Sequence, residues 1–157
     1  MRLLVAALVL LVLAGCDLPR DPEGTYERVR GGTLRVGIST NPPWTMLEGE
    51  EPGGIEPALV RQFAEQFGAN VHWTKGSEAH LMERLHHGHL DLVIGGLVDS
   101  SPWTTHSGFT RPYVTFADKR HVMAVRQGEN RWLLELDRFL QSRRGEIRRL
   151  VEAEAAQ

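Results

Sequence analysis

Asp91-Leu92-Val93-Ile94-Gly95-Gly96-Leu97 is the stretch on which the fold turns. An apolar run of this length, opened by a charge and closed by paired glycines, reads as a short strand covered on both faces, the kind found in parallel sheets. Just before it, Ser77 is placed to cap a helix over Glu78–His87, with Leu81, Met82 and Leu85 on one face and Gly88 at its end. Asn70-Val71-His72-Trp73 precedes that helix as another strand. Further back, Pro57 sits in the first turn of a helix whose Leu59, Val60, Phe63 and Phe67 recur at helical spacing before Gly68 ends it. Leu34-Arg35-Val36-Gly37-Ile38 alternates as a strand and is broken by Asn41-Pro42-Pro43-Trp44, with a polar turn over Glu48–Gly54. The resulting order, β-α-β-α-β, implies an α/β fold with right-handed crossovers and a mainly parallel sheet.

Downstream, Pro112–Phe116 and His121–Arg126 are strand candidates. Trp132, Leu133, Leu136, Phe139, Leu140, Ile147, Leu150 and Val151 then recur every three or four residues, predicting helices over 130–155 that break near Gly145. A length of 157 residues accommodates one folded domain and not two full lobes. Hydrophobic residues at 41% and charged residues at 24% fit an ordinary globular domain. With a net charge of −2 and no Lys/Arg stripe, a nucleic-acid partner is not expected.

The N-terminus has its own signature. Met1-Arg2 is followed by an apolar run from Leu3 to Ala14, shorter than the roughly 20 residues of a transmembrane helix and suited to a signal-peptide core. The run ends Leu13-Ala14-Gly15-Cys16, which resembles the bacterial lipoprotein box, so residues 1–15 are expected to be removed and Cys16, the one cysteine, to carry the lipid. Acyl chains on that residue would hold the protein on a membrane, at about 0.8 kcal/mol per buried CH₂. Asp17 resembles an inner-membrane retention signal, which places the chain on the periplasmic side of a bacterial membrane. Residues 16–32 are polar, rich in Pro and Gly, and predicted to be a flexible tether, with the folded lobe over 33–157.

Five strings in this order resemble the first lobe of bacterial extracellular solute-binding proteins of family 3, the amino-acid type that feeds ABC transporters. They are Leu34-Arg35-Val36-Gly37, Asn41-Pro42-Pro43-Trp44, Gly54-Ile55-Glu56, Asp91–Leu97 with Leu85 and Gly88, and Phe109-Thr110-Arg111-Pro112-Tyr113. His121-Val122-Met123-Ala124-Val125 with Gly128 resembles the strand returning from the second lobe, followed by the C-terminal helices. The resemblance implies a single-lobe, type II periplasmic-binding-protein-like three-layer sandwich. Between Tyr113 and His121, where the family inserts its second lobe, only a short crossing remains, so one lobe offers an open half-site. A further departure places Trp103 where amino-acid binders have the arginine that grips the ligand carboxylate. Arg111 falls where the family has an acidic residue and is no substitute.

The binding surface implied by this resemblance is Asn41, Trp44, Glu56, Leu97, Asp99, Ser100 and Trp103, on loops at the carboxyl ends of strands, where open α/β sheets place their ligand crevice. Trp44 and Trp103 are expected to be exposed aromatics that stack on a solute or a partner, or else to shield the sheet end. Asp99, Ser100 and Ser101 offer polar groups and are equally good turn formers. Glu56, the family's acidic residue at a helix start, is also a favourable anion at a helix N-terminus. His80, His86, His87 and His89 suggest a metal but lack convergent geometry, and dipole stabilisation accounts for histidines at a helix end. No metal or cofactor is expected. No nucleophile elbow or second cysteine is present, and lytic transglycosylases that carry such a lobe do so beside a catalytic domain for which this length leaves no room, so no enzymatic activity is expected. The expected role is weak or partner-assisted binding of a small polar, amino-acid-like solute, linked to an ABC permease. A non-transport interaction lipoprotein, in which a second copy supplies the missing wall as a homodimer, and a remnant without ligand are the alternatives.

Overall fold

The computed structural model describes residues 20–156, so the signal peptide, Cys16 and Asp17 lie outside the described residues. A short helix, α1 (Thr25–Val29), leads into β1 (Thr33–Ile38), α2 (Ile55–Gln66), β2 (Asn70–Lys75), α3 (Glu78–His86) and β3 (Leu92–Ile94). A 3₁₀ turn over Pro102–Thr105 precedes β4 (Ser107–Phe109), β5 (Val114–Phe116), β6 (Lys119–His121), β7 (Ala124–Arg126), α4 (Asn130–Ser142) and α5 (Arg144–Ala155). The sheet order is β2-β1-β3-β7-β4. β1 pairs in parallel with both β2 and β3, while β7 runs antiparallel to β3 and to β4. The α/β class and the parallel core are as the sequence predicts; the short strand β4 was not expected.

Three layers result from the alternation of β1. Leu34, Val36 and Ile38, all fully buried, pack with Leu92 and Ile94 against Leu59, Val60 and Phe63 of α2 and Trp132, Leu136, Phe139 and Leu140 of α4. On the opposite face, Val93 meets Leu81, Met82 and Leu85 of α3. Gly37 lets that helix approach, since a Cβ there would lie 2.7 Å from Leu90 Cδ1 and 3.1 Å from Leu81 Cδ2. Asp91 is pinned below the sheet. Burial alone would raise its carboxyl, but bonds from Arg35 and Arg28 outweigh that and hold it below the usual range.

Three sequence expectations are corrected. The tether predicted for residues 16–32 is, from Arg20 onward, folded onto the lobe. Val29 and Thr25 are buried, Tyr26 packs edge-on against Phe67, and Arg131 stacks on Tyr26 at 3.7 Å. The polar composition concealed this because the arm is held by ion pairs and ring contacts rather than by an apolar stripe. The return strand predicted over 121–126 is two strands, since the chain changes partners midway: Val122 N donates to Leu97 O, and Met123 exchanges bonds with Thr110. The C-terminal break falls at Arg143 rather than Gly145.

The crossing between Val114 and Arg120 closes as a hairpin, with Val114 opposite His121 and Phe116 opposite Lys119. Its two-residue turn puts Ala117 at φ 47° and Asp118 at φ 61°. Both are left-handed, the conformation for which Asn-Gly is the favoured pair, and a residue with a Cβ held there costs about 1–2 kcal/mol. Ala117→Asn combined with Asp118→Gly is expected to stabilise the domain by about 1 kcal/mol. Chemical denaturation tests this, and an unchanged or lowered midpoint would refute the turn geometry.

Candidate functional site

The carboxyl ends of β1 and β3 form a rim built on two glycines. Gly95 N and Gly96 N donate to Glu56 Oε2 at 2.8 and 2.9 Å, while Tyr113 Oη donates to Glu56 Oε1 at 2.5 Å. Gly96 is left-handed at φ 66°, and a Cβ on it would lie 2.5 Å from Asn41 Nδ2 and 2.6 Å from Trp44 Cδ1. Only glycine lets these loops close together. Asn41 Nδ2 donates to Gly95 O at 2.8 Å, and a tight loop joins Asn41 and Thr45 through reciprocal backbone bonds.

Beneath the rim lies a buried support. Glu56 is fully buried; burial pushes its carboxyl above the usual range, and the bonds from Tyr113, Gly96 and Gly95 pull back only part of the way. Trp44, 4% exposed, stacks on His121 with ring centroids 3.8 Å apart and meets Tyr113 and Phe116 edge-on. Burial holds the His121 imidazole below its ordinary range, and its Nδ1 is buried without a hydrogen-bond partner. These contacts clamp the β5–β6 hairpin to the end of the sheet.

The predicted site residues therefore separate. Asn41 and Ser100 are exposed on the rim, and Asp99 stands beside them with Oδ2 3.0 Å from Arg120 Nε and its N–H donated to Arg120 O. Trp44, Glu56 and Leu97 are interior, so their placement as ligand-facing groups is corrected: Trp44 and Glu56 carry the hairpin, and Leu97 packs with Leu81, Met82 and Val122. Trp103 turns away from the rim, its Nε1 donating to Glu78 Oε1 at 2.9 Å. It borders an open groove of 620 Å³ between α3 and β4, lined also by Met82, His80, His86 and His106. Among the described residues no three His, Cys, Asp or Glu side chains converge as metal ligands. Arg111 is committed to Asp137 of α4 at 2.7 Å. Around Asp91, Arg28, Arg35 and Arg126 are each already bonded to a carboxylate of the chain.

Sequence reasoning missed Ser39, Tyr113, His121 and Arg120. Ser39 stands at the end of β1, and Ser39 O accepts from Thr45 Oγ1 at 2.5 Å. Tyr113 was visible as the end of the Phe109–Tyr113 string, but nothing local announces that its hydroxyl meets a carboxylate 57 residues earlier.

Comparison with known proteins places this geometry. Membrane-bound lytic murein transglycosylase F of Vibrio cholerae is 31% identical over 101 residues, covering 63% of this chain and 19% of that protein. Its counterpart in Vibrio campbellii is 30% identical over 93 residues, covering 58% and 17%. The chain thus spans under a fifth of the length of these curated relatives. They are named as enzymes, which overturns the expectation of a purely non-enzymatic protein drawn from length and the lack of a nucleophile; the shared stretch is the solute-binding-type domain.

Among solved structures, the arginine-bound form of domain 1 from TmArgBP superposes with a TM-score of 0.67 at 21% identity, covering 74% of this chain and 97% of that one. An ancestral cationic amino acid solute-binding protein gives 0.70 at 14% identity, covering 83% and 98%. Both show the same fold. Residues 34–153 match the family directly, and the chain belongs to the bacterial extracellular solute-binding proteins, family 3.

Proposed function

We propose that this chain is a recognition domain for a small polar, amino-acid-like solute, held at the rim formed by Ser39–Asn41 and Val98–Ser101. We further propose that it acts from the periplasmic side of a membrane to which lipid on Cys16 anchors it. The observation that carries the reading is the exposed polar rim, with Asn41 and Ser100 open to solvent above a rigid buried base of Glu56, Tyr113 and Trp44. Domain 1 of TmArgBP, which shares this fold, is described in arginine-bound form, which supports small-ligand binding by a domain of this kind. With no arginine at Trp103 to grip a carboxylate, binding is weak, and a partner supplies the missing wall. An ABC permease is one such partner. The match to lytic murein transglycosylases favours a second reading, in which the same rim informs a murein-cleaving protein and the solute is a murein fragment.

Isothermal titration against amino acids and soluble murein peptides tests this. The expected result is a dissociation constant of roughly 0.1–1 mM for one class, weakened at least about tenfold by Asn41→Ala or Ser100→Ala. Absence of heat at millimolar concentrations of every compound would refute the reading. Selective response to murein peptides would favour the second over the first.

A further inference from the structure

The N-terminal arm meets the body of the lobe through two carboxylates. Glu129, at the entry to α4, accepts from the backbone N–H of Glu23 at 3.0 Å and of Thr25 at 3.3 Å. Asp21, on the arm, uses Oδ2 to accept from Tyr26 N–H at 2.8 Å, while its Oδ1 is buried with no donor from the chain. A buried carboxylate oxygen without a donor, beside a second carboxylate, is costly when both are ionised and is relieved when one acid keeps its proton and donates it to the other. Burial, then the bond to Glu129, raises the Asp21 carboxyl to about 6, while Glu129, raised by burial but bonded by Asp21 and the arm amides, lies below its usual range.

We propose that the Asp21–Glu129 pair is an acid-dependent latch that docks residues 20–25 onto the start of α4 when it holds one proton and releases them when it holds none. Other charges at this joint oppose or balance the pair without replacing it. From α4, Arg131 attracts Asp21 but is shared with Glu27 at 3.1 Å; its N–H also donates to Arg20 O at 3.1 Å. From β7, Arg126 is bonded to Glu23 at 3.2 Å, and on α1 Arg28 is bonded to Asp91. Beyond the latch, Val29, Tyr26 and Arg28 stay anchored by burial, by stacking and by Asp91, so release stops near Thr25. The sign is fixed by linkage. A carboxyl whose folded-state value exceeds its unfolded value of 3.8 stabilises docking fully below that value, and the contribution is lost as pH rises through about 6. Release adds about six residues to whatever precedes the arm, or roughly 20 Å of extra reach.

Hydrogen–deuterium exchange of the full chain, corrected for intrinsic exchange, reads the latch at the Thr25 and Tyr26 amides. Protection is expected to fall at least about tenfold between pH 5 and pH 8, while the Val36 amide in β1 stays unchanged. Asp21→Asn mimics the protonated acid: its Oδ1 still accepts from Tyr26, and its Nδ2 donates to Glu129 at every pH. This variant is expected to stay protected at both pH values. Carbon-13 titration of the Asp21 carboxyl should show a midpoint near 6. A midpoint in the ordinary aspartate range, or equal protection of the unsubstituted chain at pH 5 and pH 8, would overturn the proposal.

Discussion

Glu56→Ala is expected to destabilise the domain by roughly 3–5 kcal/mol, enough to leave much of the chain unfolded at 37 °C given typical stabilities of about 5–15 kcal/mol. The substitution strands three buried donors at once: the amides of Gly95 and Gly96 and the hydroxyl of Tyr113. Glu56→Gln keeps two of the three, since its carbonyl accepts from both amides, while its amide nitrogen donates to the Tyr113 oxygen and leaves the Tyr113 O–H without that acceptor; the expected cost is about 1–2 kcal/mol, well short of the loss for Ala. The pair of variants also separates charge from geometry. Burial raises the Glu56 carboxyl, so the folded state retains that proton above the unfolded value of 4.5 and loses stability as pH rises through the folded value. Glu56→Gln should flatten that part of the stability profile. Urea unfolding of both variants between pH 4 and pH 8 measures this, and equal losses for Ala and Gln would show that the hydrogen bonds are not what matters.

Trp44→Ala is the second large effect, about 3–5 kcal/mol, or roughly 10–20 °C in midpoint. An indole that is 4% exposed leaves a cavity bounded by the His121, Tyr113 and Phe116 rings, none of which can collapse into it without opening the β5–β6 hairpin. Trp44→Phe retains much of the stack and should recover more than half of the loss. Thermal unfolding decides, and a fall of less than 3 °C for Trp44→Ala would place the indole outside the core. The damage should reach the rim as well, since Gly96 packs on the same indole.

The parallel core was legible because its period is local: Leu34, Val36 and Ile38 alternate, and Leu59, Val60 and Phe63 recur on one face of a helix, so burial follows from neighbours in the chain. The rim was legible only in part. Asn41 and Ser100 sit where loops at the strand ends must lie, but the fate of Trp44 depends on His121, and that of Glu56 on Tyr113, partners separated by tens of residues and brought together by the hairpin. A glutamate at a helix start and a tryptophan after a proline pair look alike whether they face solvent or core. The arm was misread for the same reason, since Arg131 and Glu129, which hold it, lie more than 100 residues downstream.

The hairpin turn at Ala117–Asp118 has a wider consequence. Val114 and His121 are laddered partners, so the chain leaves and re-enters the body at points only about 5 Å apart. Six residues, 115–120, lie between them and none belongs to the main sheet, so a longer segment entering at this place need not disturb its register. The position is a port for added chain, because the main sheet, whose strands all lie outside it, is complete without it.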